Sequence, residues 1–261
     1  MMEQIPYGST IFQELQRQID GAVLAQQRFF PFQTMHMHYS SLHRILLVGE
    51  GDFSFSSSLA TAFGSAENIV ATSLDTKEMV LTFYKSAGNS ISNLLSRGAC
   101  VLHEVDATMI DQLGLFRGTM FDRIVFNFPH SGFWGKEYSN EVIQRHRDLV
   151  SKFFRSARML VSCIGEIHVS HKEGPLYRKW NLVGEAMKSG LFLKECVTFS
   201  IADYPGYTNK RGSGVCIDES FPLGDCKTYK FMLTPAAFIE KELMLVREQS
   251  YLHALQPQMW I

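Results

Sequence analysis

Two glycines alternate with two acidic residues in the segment Gly49–Asp52, directly after the apolar run Ile45–Val48. Four apolar residues predict a short buried strand, and two glycines one residue apart allow a tight turn and a close backbone approach to a ligand. Ser54 and Ser56–Ser58 are suited to cap a following helix that ends at Gly64. A strand, a glycine turn and a helix are the elements with which an α/β sheet opens a nucleotide site.

The charges of this turn indicate which nucleotide it would bind. A dinucleotide fingerprint has a third glycine where Ser54 stands and places a pyrophosphate at the helix N-terminus. Glu50 and Asp52 would repel a pyrophosphate but attract a ligand that carries ammonium and sulfonium groups. The turn therefore favours S-adenosylmethionine over NAD or ATP, and the alternative is a tight turn with solvated acids. The predicted cofactor-binding residues here are Gly49, Glu50, Gly51, Asp52, Phe53 and Ser54.

Two further aspartates stand at the ends of predicted strands. Asp75 follows the strand predicted for Ile69–Leu74, 24 residues after Gly51, where an acidic side chain can accept hydrogen bonds from ribose hydroxyls. Asp106 follows the strand predicted for Ala99–Val105 and could meet the amino group of an adenine. Each aspartate could instead cap a helix.

A fourth predicted strand, Phe121–Phe128, runs directly into Pro129 and His130. Residues just beyond the strand ends of an open α/β sheet line its ligand crevice. Asn127 offers one acceptor and two donors, Pro129 stiffens the turn, and His130 could stack on a base or take a proton. We interpret Asn127, Pro129 and His130 as candidate catalytic residues and Phe128 as a substrate contact. The alternative is an ordinary turn after a buried strand.

The loop at 202–214 contains two tyrosines, an adjacent Lys-Arg pair and three glycines. Tyr204 and Tyr207 would offer stacking planes, and Lys210 and Arg211 would offer phosphate partners. We expect a mobile loop on the substrate side, with a solvated hairpin as the alternative.

These residues need a sheet to position them, and alternating strand and helix patterns predict an α/β fold. The loop between the sixth and seventh strands is too structureless for a crossover helix, so the last strand should be antiparallel. The remaining predicted strands are Met159–Ile164, Leu191–Leu193 with Cys196–Ile201, and Lys227–Leu233. The later predicted helices are Glu141–Ala157, Pro175–Lys188, and one that Thr234 and Pro235 begin and that ends at about Val246.

We divide the chain into an extension and linker at 1–42, a main domain at 43–233 and a C-terminal helix and tail at 234–261. Helical spacing of Ile11, Leu15, Ile19 and Val23 predicts a helix in the extension, and Phe29–Ser41 is expected to be a plain linker. We expect no metal. No cysteine or carboxylate completes a ligand set for His36, His38 and His43, and the spacing of His168, His171 and Glu173 fits no standard site.

Composition limits the partners. The 261 residues include 25 basic and 26 acidic ones, a formal net charge of −1, so RNA contacts must come from a local basic patch. No apolar run approaches a membrane span, and the first residues lack a signal-peptide pattern. Five cysteines without Cys-x-x-Cys spacing are expected to be reduced thiols of a cytosolic or nuclear protein. We favour a monomer.

Three segments together resemble signature blocks of a known family, the Rossmann-like methyltransferases typified by the 25S rRNA (uridine-N3)-methyltransferase. These segments are Gly49–Ser56, Asn127–His130 and Tyr204–Tyr207. The similarity extends from about His43 to Leu233. Asn209 departs from the pattern, since members often carry a histidine before the basic pair.

The resemblance implies a seven-stranded class I methyltransferase sheet with helices on both faces and S-adenosylmethionine as the cofactor. It further implies methylation of uridine N3 in large-subunit rRNA, in the nucleolus or nucleus, with the cytoplasm as the alternative. Carried over by position, Gly49–Phe53 and Asp75 would hold the cofactor, and Asn127–His130 would face the base. Methylation of another substrate (tRNA, a small molecule or a protein), a non-catalytic binding module and an NAD-dependent oxidoreductase are the competing hypotheses.

Overall fold

Short apolar strands build one seven-stranded sheet in the computed structural model, which describes residues 33–132 and 135–255. The strands are β1 (Ile45–Val48), β2 (Ile69–Thr72), β3 (Cys100–Leu102), β4 (Phe121–Asn127), β5 (Val161–Lys172), β6 (Leu191–Thr198) and β7 (Cys226–Leu233). Their order across the sheet is β3-β2-β1-β4-β5-β7-β6. Strand β7 runs antiparallel to both of its neighbours, β5 and β6, and the other neighbouring strands of this sheet are parallel. The predicted class I methyltransferase sheet with an antiparallel last strand is confirmed.

Helices cover both faces of this sheet. They are α1 (Ser54–Phe63), α2 (Lys77–Phe83), α3 (Ala87–Ser96), α4 (Asn140–Leu160), α5 (Pro175–Arg178), α6 (Leu182–Lys188) and α7 (Pro235–Leu255). Every residue of strand β1 is apolar because successive side chains of a strand point to opposite faces of the sheet, and helices cover both faces here. Ile45 and Leu47 pack in a core with α1 and α3, whereas Leu46 and Val48 pack in a second core with α4.

The order of the strands places the candidate site. The chain moves outward from β1 through β2 to β3 and then returns to the other side of β1 as β4. Ligands of open α/β sheets bind beyond the carboxyl ends of the strands at such a reversal. Val48 of β1 pairs with Phe126 of β4, so the turn after β1 and the corner after β4 emerge side by side.

Two predicted elements have different bounds. Helix α4 continues to Leu160, and β5 then runs from Val161 to Lys172, so the strand predicted for Met159–Ile164 begins later and is much longer. The single helix predicted for Pro175–Lys188 is wrong. Asn181 adopts φ +53°, a left-handed conformation that asparagine tolerates, and separates α5 from α6.

The ends of the chain also differ from expectation. Part of the expected linker is a hairpin in which Met35–His36 pairs with Tyr39–Ser40, and the Tyr39 side chain is buried. The helix predicted around Ile11–Val23 lies outside the described residues. Helix α7 begins as predicted, with Thr234 Oγ1 accepting a hydrogen bond from Ala237 N at 3.3 Å, but it extends beyond Val246 to Leu255. No helix within the described residues is long and apolar enough to span a bilayer.

Candidate active site

The turn after β1 requires glycine at its first position. Gly49 has φ +66°, and a Cβ atom there would lie 2.4 Å from Cε2 of Phe126. Phe53, which ends the turn, also adopts a left-handed conformation with φ +59°. Such a conformation costs a bulky residue about 1–2 kcal/mol and persists only where the surrounding structure enforces it.

Carboxylates, rather than the predicted serines, cap helix α1. Asp52 Oδ1 accepts a hydrogen bond from Ser54 N at 3.0 Å, and Glu50 Oε2 accepts from Ser56 N at 3.3 Å and from Ser56 Oγ at 2.6 Å. Phe53 occupies the N-cap position and has no capping side chain. The serine prediction was wrong because the two acids of the turn fold back onto the first amides of the helix, where the dipole favours negative charge.

This capping changes the electrostatics expected of the turn. Glu50 is buried, and desolvation raises the pKa of its carboxyl group to about 7. Asp52 Oδ2 accepts hydrogen bonds from Ser86 Oγ at 2.9 Å and Thr208 Oγ1 at 2.8 Å, and the Lys210 ammonium lies 3.9 Å away. The turn therefore carries less unbalanced negative charge than two solvated acids would.

Asp75 and Asp106 differ in their contacts. Thr76, not Asp75, caps α2, because Thr76 Oγ1 accepts from Met79 N at 3.2 Å. The half-buried Asp75 carboxylate accepts no hydrogen bond within the described parts of the chain, and desolvation raises its pKa. Asp106 Oδ1 accepts from both the amide and the hydroxyl of Thr108 at 2.8 Å. Asp75 thus keeps both carboxylate oxygens available to a ligand, whereas Asp106 keeps one.

The corner after β4 holds Asn127 in one orientation. Ser170 Oγ of the neighbouring strand donates to Asn127 Oδ1 at 2.7 Å. The amide nitrogen of Asn127 is consequently turned away from Ser170, and this buried donor has no partner among the residues that the structure describes. Phe128, the next residue, adopts φ +49°. The corner therefore presents an amide donor on a backbone held in a strained conformation.

His130 is a partly buried neighbour of this corner. Its Nδ1 accepts a hydrogen bond from Gly132 N at 3.1 Å, and burial lowers its pKa. Its ring centroid lies 4.5 Å from that of His146. Because Nδ1 already accepts from a backbone amide, the geometry suits a stacking role for His130 better than proton abstraction.

The turn and the corner border one cleft of about 200 Å³. Of the predicted site residues, twelve line it: Gly49, Glu50, Gly51, Asp52, Asp75, Asp106, Asn127, Phe128, His130, Tyr207, Lys210 and Arg211. Pro129 lines an adjoining pocket instead. Phe53 is buried behind the turn against His103, and Ser54 Oγ accepts a hydrogen bond from Thr208 N at 3.0 Å.

Tyr204 is placed differently from the prediction. It is 3% exposed, stacks on Phe199 with a centroid distance of 5.6 Å and contacts Phe55 at 4.7 Å, so its faces are covered by the core. This placement corrects the expectation that Tyr204 offers a stacking plane. Tyr207 is partly buried and reaches the cleft, and the desolvation of its hydroxyl group raises its pKa well above the ordinary value.

The loop that carries these tyrosines is tied down rather than solvated. Asn209 Nδ2 donates to Phe221 O at 2.6 Å, and the Lys210 ammonium lies 2.7 Å from Asp218 Oδ1. The sequence pattern also missed several cleft residues: Ser73, Tyr84, Phe126, Leu149, Thr208 and Phe221. Phe126 could have been predicted from its position near a strand end. Phe221, in contrast, reaches the cleft only through contacts made by the folded loop.

Relatives of this chain occur among known proteins. A protein of Arabidopsis thaliana, heavy metal-associated isoprenylated plant protein 41, is 48% identical over 213 residues, which are 82% of this chain and 41% of that protein. The chain thus spans less than half of that relative. Uncharacterized protein At4g26485, also from Arabidopsis thaliana, is 44% identical over 197 residues, 74% of this chain and 94% of that protein.

More distant matches carry descriptive names. The 25S rRNA (uridine(2634)-N(3))-methyltransferase of Saccharomyces cerevisiae is 24% identical over 228 residues, 67% of this chain and 68% of that protein. The solved structure of TrmN from Thermus thermophilus has a TM-score of 0.45 at 16% identity, over 73% of this chain and 44% of that one. The family model described as "BMT5-like: rRNA (uridine-N3-)-methyltransferase BTM5-like" matches residues 46–211, well over half of the chain, and the protein therefore belongs to the BMT5-like family.

Proposed function

We propose that this protein is an S-adenosylmethionine-dependent RNA methyltransferase that methylates N3 of a uridine in large-subunit rRNA. One observation carries the proposal: the strained glycine turn after β1 and the Asn127 corner after β4 border the same cleft. Family membership supports the reaction and the class of substrate. Such a substrate implies a nucleolar or nuclear location, with the cytoplasm as the alternative.

The residues present fit the proposed cofactor. Gly49 and Gly51 line the cleft without side chains, so a ligand can approach the backbone of the turn closely, and the half-buried Asp75 carboxylate accepts no hydrogen bond within the described ranges. Asp75 would accept hydrogen bonds from the ribose hydroxyls, and Asp106 would meet the adenine amino group. Backbone groups of Gly49–Gly51 would lie against the methionine part. When bound, S-adenosylmethionine supplies an electrophilic methyl group on a positively charged sulfur.

The side chains of the corner would position the base. The Asn127 amide nitrogen can donate to a uracil carbonyl next to N3, because Ser170 holds the amide oxygen on the other side. His130 would stack beside the base. Uridine N3 would lose its proton to water and take the methyl group as the bond between that group and sulfur breaks, which leaves S-adenosylhomocysteine. Such a displacement depends mainly on the orientation of the reacting groups, which the Asn127 donor and the His130 ring would supply. A base in folded RNA must first leave its stack.

Labelled-methyl transfer tests the proposal. The full chain is incubated with methyl-labelled S-adenosylmethionine and either total RNA or a protein lysate. We expect label in RNA that is recovered as 3-methyluridine after digestion, and much less label with the Asn127→Ala variant, which should still bind the cofactor. Label confined to protein, or to another nucleoside, would contradict the proposed substrate.

A further inference from the structure

A second cavity of about 210 Å³ adjoins the cleft, and we name it the side pocket. Five residues border both spaces: Phe128, His130, Lys210, Arg211 and Phe221. Tyr177 and Trp180, which the methyl-transfer account leaves unused, form the far wall. The side pocket is therefore continuous with the corner that carries Asn127.

An ammonium group stands between aromatic rings in this pocket. The Nζ atom of Lys172, the last residue of β5, lies 5.4 Å from the centroid of the Tyr177 ring and 5.6 Å from that of Phe221. Among the residues that the structure describes, no carboxylate forms an ion pair with Lys172, whereas Lys210 is paired with Asp218. Cation–π contacts hold the ammonium in place but leave its charge available to an anion.

The aromatic wall is fixed by its own packing. Trp180 is buried and stacks on His146 with a centroid distance of 3.8 Å and an interplanar angle of 15°. The edge of His171 meets Trp180 at 4.6 Å. A wall held in this way loses little conformational entropy when a ligand binds, which favours binding.

We infer that the side pocket receives the nucleotide next to the methylated uridine in a single-stranded RNA segment, while the uracil itself lies at the Asn127 corner. The base of this neighbouring nucleotide would lie against Tyr177, and its phosphate would contact Lys172. Aromatic faces beside an unpaired cation are the recurrent means of binding single-stranded nucleic acid. A chain with a net charge of −1 needs such a local site because it has no overall attraction for RNA. The inference rests on the proposed function and adds the substrate pocket to it.

The test measures affinity for RNA and for the cofactor separately on the full chain. The probe is a fluorescent, uridine-containing single strand of about 12 nucleotides, followed by anisotropy at several salt concentrations. Calorimetry with S-adenosylmethionine gives the second affinity. The variants are Tyr177→Ala, Tyr177→Phe and Lys172→Met, and the matched control is Lys152→Met, an exposed lysine of α4 that lines neither cavity.

We expect Tyr177→Ala to weaken RNA binding about tenfold, and Tyr177→Phe to stay within about twofold of wild type because it keeps the ring. Lys172→Met should weaken binding and reduce the slope of log K against log salt by about 0.7, the value for one single-strand phosphate contact. Lys152→Met should leave both quantities unchanged. Cofactor affinity should remain within about twofold of wild type for every variant.

Unchanged RNA affinity and salt slope in Tyr177→Ala and Lys172→Met would overturn the inference, as would a wild-type protein that binds the cofactor but not the RNA. A parallel loss of cofactor affinity in these variants would also overturn it, because their side chains would then support the cleft. Failure of the wild-type protein to bind the cofactor would instead refute the proposed function.

Discussion

Phe53 and Phe128 both adopt left-handed backbone conformations, with φ +59° and +49°, in the turns that follow the adjacent strands β1 and β4. Phenylalanine is poorly suited to this region, and each residue costs about 1–2 kcal/mol there. Strained residues of this kind concentrate at ligand-binding sites. Their occurrence in the turns on both sides of one cleft supports the proposal that these turns bind a ligand.

Gly49→Ala should strongly destabilise the protein. The added methyl group meets the Phe126 ring and also forces alanine to adopt positive φ. Gly118→Ala is the matched control, because Gly118 has φ +74° but open space around its Cβ position. We expect the free energy of unfolding to fall by about 1–2 kcal/mol in the control and by about 1–3 kcal/mol more in Gly49→Ala. Urea denaturation measures both, and equal losses would contradict the close-contact explanation.

Ser170→Ala should slow methyl transfer without affecting the cofactor. The variant removes the hydrogen bond that fixes the Asn127 amide. A neutral hydrogen bond contributes about 0.5–1.5 kcal/mol, so we expect a fall of about threefold to tenfold in kcat/KM for RNA. Asn127→Ala should cost more, because it removes the donor itself. If Ser170→Ala methylates RNA at the wild-type rate, the amide does not depend on this contact for its orientation.

The stability of the protein should depend on the ionisation of Glu50. Burial raises the folded-state pKa of this carboxyl group from 4.5 to about 7, so the folded state binds more protons than the unfolded state in that range. The contribution of Glu50 is therefore present at low pH and is lost as the pH rises towards and past about 7. The loss is roughly 3 kcal/mol at most.

Glu50→Gln isolates this contribution. Glutamine keeps an oxygen that can accept a hydrogen bond from Ser56 but does not titrate. The unfolding free energy of wild type, relative to that of the variant, should therefore fall between pH 5 and pH 8. Other groups, such as His146 with a pKa lowered to about 3 by burial, titrate equally in both proteins and cancel. A difference that is constant with pH would contradict the raised pKa.

The sequence predicted the sheet well because local patterns determine it. Apolar runs such as Ile45–Val48 and Phe121–Asn127 are readable without tertiary information, and the lack of a crossover helix before β7 determined the direction of that strand. Boundaries were less accurate at β5, where a polar-looking stretch that includes His168 continues the strand. His168 is buried there beside Tyr39, at 3.2 Å, a residue distant in sequence.

The site was predictable in part. Residues next to strand ends, such as Asp75 and Asn127, do line the cleft. The capping of α1 by Glu50 and Asp52 was missed, since serine and aspartate have similar preferences for such positions. The contact between Asp52 and Thr208 joins residues 156 positions apart and depends on how the loop before β7 folds. The same applies to the burial of Tyr204, because a Tyr-Pro-Gly segment gives no local sign of its environment.

Calorimetric titration with S-adenosylmethionine tests the central claim most directly. The wild-type chain should bind the cofactor and should not bind NAD, and Asp75→Asn should weaken cofactor binding by about tenfold or more, since a hydrogen bond to a charged acceptor contributes about 1.5–3 kcal/mol. Asp148→Asn, an exposed residue of α4 outside the cleft, controls for net charge and should bind as wild type does. No heat of binding from wild type at millimolar cofactor, or equal affinity in Asp75→Asn, would contradict the account.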